Sequence, residues 1–107
     1  MSLETIFQDI TQERARQELV HPEIPVFLLH PNCDPQRVQI QESLRRLQQE
    51  NDTMESSGQH SWYGIAYEEL KEVFSAVTVE ELYKEAIQAA SVYIRLAQAV
   101  KGGEVAI

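Results

Sequence analysis

Four glutamates and one glutamine are spaced in a way that could hold a metal ion. Glu68, Glu69 and Glu72 are followed, after twelve residues, by Glu85 and Gln88. On a helical wheel of about 100° per residue, Glu68, Glu69 and Glu72 fill a sector about 100° wide. That sector faces or borders an apolar stripe of Trp62, Ile65, Ala66, Val73, Ala76 and Val77, with Leu70 and Phe74 widening one flank. In the next apolar segment Leu82, Ala86, Ala89, Tyr93, Leu96, Ala97 and Val100 make a wide arc. Glu85 lies inside this arc and Gln88 at its edge. An ionised carboxylate taken out of water without a partner costs several kcal/mol, and converging carboxylates also repel one another. The nearby cations Lys71, Lys84 and Arg95 point to polar sides. A divalent cation resolves the conflict, and an all-oxygen ligand set favours Mg²⁺ or Mn²⁺ over zinc. The competing reading for Glu68, Glu69 and Glu72 is a solvated helix face, and Glu85 on the facing segment counts against it.

The elements that must carry these residues are four helices. The first runs from Ser2, as N-cap, to Leu19. A connector from Val20 to Cys33 holds Pro22, Pro25 and Pro31, which no helix tolerates in its interior. Its apolar run Val26-Phe27-Leu28-Leu29 is expected as an extended segment or helical turn pinned against the core. The second helix starts at Asp34-Pro35 and reaches about Glu50, with Val38, Leu44 and Leu47 as its sparse apolar residues. Asn51 to His60 is expected as a mobile loop around Ser56-Ser57-Gly58. The third helix spans Ser61 to Val77. Thr78 and Glu81 form a capping box for the fourth, which Gly102-Gly103 ends near Lys101. The short link between the last two helices predicts an antiparallel hairpin. The width of the apolar arc predicts that the fourth helix is well buried, in part within an oligomer.

Length and composition suit one all-α domain over residues 1–107. The chain is 43% hydrophobic, enough for a core, and its formal net charge of −8 argues against a nucleic-acid polymer or an anionic membrane as partner. No segment is apolar and long enough to span a bilayer. One cysteine, Cys33, cannot form an intrachain disulfide and is expected to be inert. The three histidines have no ligand spacing. A cytoplasmic location is the default expectation.

The run Glu68-Glu69-x-x-Glu72 followed by Glu85-x-x-Gln88 resembles the signature of the MazG-like all-alpha nucleoside triphosphate pyrophosphohydrolases, EExxE and then ExxD. His60 through Ala76 and Glu85 through Ile94 resemble a small phage and bacterial branch of that superfamily, and Ile10 through Gln17 resembles its opening helix. The resemblance implies a four-helix MazG-like bundle, at least a homodimer and sometimes a homotetramer. It implies Mg²⁺-dependent hydrolysis of a (deoxy)nucleoside triphosphate to the monophosphate and pyrophosphate. Glu68, Glu69, Glu72 and Glu85 would then be metal ligands or orient the attacking water, with Gln88 completing the set. Glu69 and Glu72 are the candidate catalytic pair. Gln88 stands where the superfamily most often has Asp, and an amide oxygen brings no charge. The Lys-Trp-Gly expected after Arg16-Gln17 is replaced by Glu18-Leu19-Val20, so no substrate contact is carried over from that segment. The Gln88 departure motivates the alternative of a catalytically inactive helical interaction or regulatory module. Trp62 and Tyr63 could stack a nucleobase, and Lys71, Lys84 and Arg95 could meet phosphates. The bland alternatives are packing anchors and solvated charges.

Overall fold

Four helices form, α1 (Leu3–Val20), α2 (Asp34–Ser56), α3 (Trp62–Phe74) and α4 (Val79–Lys101), and the described residues contain no strand. The structure, a computed structural model, describes residues 2–29 and 34–107. The expectations for Cys33 and for an Asp34 cap lie outside what it describes.

The helix starts follow from side-chain oxygens that accept otherwise unpaired backbone N–H groups. The Ser2 hydroxyl accepts from the Thr5 N–H at α1 and the Ser61 hydroxyl from the Gly64 N–H at α3. At α4 the Glu81 N–H donates to Thr78 Oγ1 over 3.1 Å. Glu81 reaches back as a capping box requires, but its Oε2 accepts from the Val77 N–H rather than from Thr78. The fourth helix ends as expected. Gly103, at φ 73°, donates to the Val100 carbonyl while the Glu104 N–H reaches that of Ala99. This is a Schellman cap, and the left-handed residue it needs is a glycine.

The same device corrects the expected end of α2. The helix does not stop at Glu50; it runs through Ser56, and the expected loop shrinks to residues 57–61. Gly58, at φ 70°, donates to the Glu55 carbonyl, and the Gln59 N–H reaches that of Met54 over 2.7 Å. Conversely α3 ends at Phe74, not Val77. The Ser75 and Ala76 N–H groups turn back to the Lys71 and Val73 carbonyls, closing the last turn and leaving Val77 outside the helix and exposed. The connector run divides. Val26 and Phe27 are largely exposed, whereas Leu28 and Leu29 are half-buried.

The chain divides into two units, Met1–Val26 with Ile94–Ile107 and Phe27–Tyr93. In the first, Ile6 is the buried side chain among the described residues, and the surface of α1 carries the ion pairs Arg16–Glu13 and Arg14–Glu18. The second unit holds α2, α3 and most of α4. There α2 packs against α3, and three bonds set the direction. Arg37 donates to the Ala76 carbonyl, Lys71 to Ser43 Oγ, and Asn51 to the Gly64 carbonyl. Positions rising along α2 meet positions falling along α3, so the two helices are antiparallel. Ile40, Leu44 and Leu47 sit half-buried on the packed side of α2, whereas Val38 is exposed.

Among the described residues the buried apolar side chains are Ile6 and Ala76. The apolar arc of α4, expected to be well buried, is not buried within one chain. No α4 residue is fully buried, and Ala86, Tyr93 and Val100 are exposed. Leu82, Ala89, Leu96 and Ala97 of the same arc are half-buried. No helix among the described residues is long and apolar enough to cross a membrane.

Candidate metal centre

α3 and α4 bring three carboxylates together. Glu69, Glu72 and Glu85 each offer an oxygen within 4.8 Å of the others, and each residue is half-buried. Glu69 and Glu72 share a face because three residues advance a helix by nearly one turn. Glu69 Oε2 and Glu85 Oε2 are buried and accept no hydrogen bond. Buried polar atoms are nearly always paired, so each such oxygen asks for a missing partner.

The electrostatics say the same. Burial, then the charges of Glu85 and Glu68, push the Glu69 carboxyl above its usual range, against a lowering hydrogen bond from Glu72. Glu72 is pushed up to about 7 by burial first, then by the charge of Glu69 and by hydrogen bonding to Glu85. Without a cation, the cluster therefore relieves its repulsion by keeping a proton on Glu72 near neutral pH.

Glu68 stands at the edge. Its Oε1 accepts from the Asn51 Nδ2 of α2 over 3.0 Å, and the same amide donates to the Gly64 carbonyl over 2.9 Å. Glu68 is not one of the three converging carboxylates, but its charge bears on both Glu69 and Glu72. Gln88 lies exposed on α4, three residues past Glu85. Asn51 carries no site signal in the sequence, where its segment is expected as a loop, and α2 brings it to Glu68. The signal that could have found it is Gly58, which marks where α2 ends.

The expected phosphate-binding cations fare differently. Lys71 does not point to a polar side. It is half-buried, donates to Ser43 Oγ over 2.8 Å, and places its ammonium 4.5 Å from the centre of the Tyr67 ring. With Tyr67, Leu70 and Phe74 it lines a cleft of about 580 Å³ closed by Ile40, Gln36 and residues 27–29. Lys84 is exposed on α4, and Arg95 belongs to the other unit. Trp62 opens α3 half-buried. Tyr63 is exposed and meets the Tyr67 edge at 5.5 Å. Comparison with protein-family models, curated proteins and solved structures returns no match for this chain.

The donor set fits a hard divalent cation. It consists of oxygens alone, all from carboxyl groups, and has two buried oxygens that accept no hydrogen bond. Glu69, Glu72 and Glu85 would hold the ion.

Proposed function

We propose that the chain is a Mg²⁺-dependent nucleoside triphosphate pyrophosphohydrolase of the MazG-like type, with α3 and α4 as the hairpin that carries its site. The observation that supports this most is the pair of unpartnered buried oxygens, Glu69 Oε2 and Glu85 Oε2, inside a set of three carboxylates from two helices. A bound Mg²⁺ supplies Lewis-acid polarisation of phosphoryl oxygens and offsets charge on the leaving pyrophosphate. The protein's part is to fix the ligands and the water. Glu69 and Glu85 present buried oxygens that have no hydrogen bond to give up on ligating. Glu72, the third carboxylate of the set, would be ionised beside a bound cation and, while holding it through one oxygen, would orient with the other the water that attacks the α-phosphorus. Mn²⁺ satisfies the same donor set.

The test is a pyrophosphate-release screen over canonical and modified nucleoside triphosphates with Mg²⁺ and with Mn²⁺. The reading expects metal-dependent release from at least one triphosphate, with the monophosphate as co-product and chelator abolishing it. Metal uptake with no turnover of any triphosphate would favour the inactive module, for which the uncharged Gln88 is the motive.

The working form is proposed to be at least a homodimer. What supports this is the apolar surface left on α4, where Tyr83 is 71%, Ile87 51% and Tyr93 57% exposed. Sedimentation should give at least twice the 12.3 kDa chain mass. Ile87→Asp should shift it to the monomer, because an unpaired charge is costly in an apolar interface. A wild-type monomer at micromolar concentration contradicts the proposal.

A further inference from the structure

We propose that Asn51 is a positioning residue for the cation site, its amide braced on the Gly64 carbonyl so that Glu68 stays fixed beside Glu69, Glu72 and Glu85. This rests on the reading of that cluster as a cation site and adds to it a residue from a third helix. The geometry has three parts. One Asn51 nitrogen serves both acceptors, the Gly64 carbonyl at 2.9 Å and Glu68 Oε1 at 3.0 Å. The two acceptors lie one helical turn apart on α3, so the amide spans the turn that leads into the acidic face. The helices also approach closely at this point. A Cβ built on Gly64 would lie 2.7 Å from Asn51 Oδ1. That is closer than a real carbon approaches, so glycine is what lets the amide sit there.

The consequence is electrostatic. Glu68 on its own would turn into water, since like charges one and four residues along the helix repel it. Two good hydrogen bonds on one amide hold it against that repulsion, and a fourth negative group then bears on an entering cation. Groups that orient the residues around a metal in this way typically contribute about 10- to 100-fold in metal affinity.

The experiment titrates metal-free protein with Mn²⁺ at pH 8 by calorimetry, comparing wild type with Asn51→Ala, Gly64→Ala, Glu68→Ala and the Asn51→Ala/Glu68→Ala pair. Asn51→Ala should bind Mn²⁺ about 10-fold or more weakly. Gly64→Ala, which leaves the amide's chemistry intact but displaces it, should weaken binding in the same direction. The double variant should lose no more than Glu68→Ala alone, because Asn51 acts through Glu68. A merely structural role for Asn51 would lower the thermal midpoint and add to the Glu68 effect instead. Wild-type affinity in Gly64→Ala and Asn51→Ala, or additive losses, overturns the inference while leaving the cation site standing. If Asn51→Ala does not fold, Gly64→Ala decides by the same criterion. No Mn²⁺ uptake by the wild type overturns the cation site itself, and this inference with it.

Discussion

Replacing Glu69 or Glu85 by glutamine is expected to abolish metal-dependent pyrophosphate release while making the metal-free protein more stable. The two effects share one cause. Each carboxylate buries an oxygen that accepts no hydrogen bond, and it does so among other negative groups. A glutamine of the same shape removes the repulsion, and its amide can donate to the remaining carboxylates. Each kcal/mol of relieved repulsion raises the midpoint of a domain near this size by about 4–8 °C. Function moves the other way, because an uncharged amide in place of a ligating carboxylate takes a charge from the cation. Removing residues that only orient ligands costs about 10- to 100-fold, so a ligand itself should cost at least about 100-fold in turnover. Thermal melts in chelator and pyrophosphate-release rates in Mg²⁺ check both halves. Loss of stability in both variants, with activity retained, would mean that the carboxylates hold the helices together and do no chemistry.

The second large effect is a reversal of pH dependence by metal. Glu72 is pushed up to about 7 in the folded chain from the ordinary value of 4.5. Between those values the folded form holds a proton that the unfolded form does not. The stability from this group is therefore complete below pH 4.5 and is lost as pH rises through about 7. Glu69 is shifted in the same direction, by burial and then by the Glu85 and Glu68 charges, and adds to the trend. The melting midpoint of metal-free protein should fall from pH 5 to pH 8. Millimolar Mg²⁺ should raise the midpoint at pH 8 and do little at pH 5, since ligation needs ionised carboxylates. General repulsion in a chain of net charge −8 gives a shallower fall. Glu72→Gln separates the two by removing the steep part. A metal-free midpoint that climbs through this range would show that Glu72 is not protonated in the fold.

Much of this site can be read from residue order. Ser2, Ser61 and Thr78 announce helix starts because their hydroxyls have few other uses ahead of an apolar periodic run. The phase of Glu69 and Glu72 against Val73 and Ala76, and of Glu85 against Leu82 and Ala89, is enough to turn the three carboxylates toward one another. What escaped depends on contacts between elements. Asn51 reads as loop because Asn, Asp, Thr and Ser are indifferent helix formers, and only the cap at Gly58 tells that α2 continues past it. Lys71 looks solvated on its own helix, but Ser43 and Tyr67 draw it inward. The end of α3 at Phe74 depends on backbone bonds of Ser75 and Ala76 that no side-chain pattern signals. The exposed arc of α4 reflects the same limit, since periodicity tells which face is apolar and not what covers it.

The most direct measurement follows free Mn²⁺ by electron paramagnetic resonance as metal-free protein is titrated at pH 8, wild type beside the Glu69→Gln/Glu85→Gln pair. The account expects saturable uptake of at least one ion per chain by the wild type, competed by Mg²⁺, and none by the pair. Equal uptake by both proteins, or no uptake by either at millimolar metal, would contradict it.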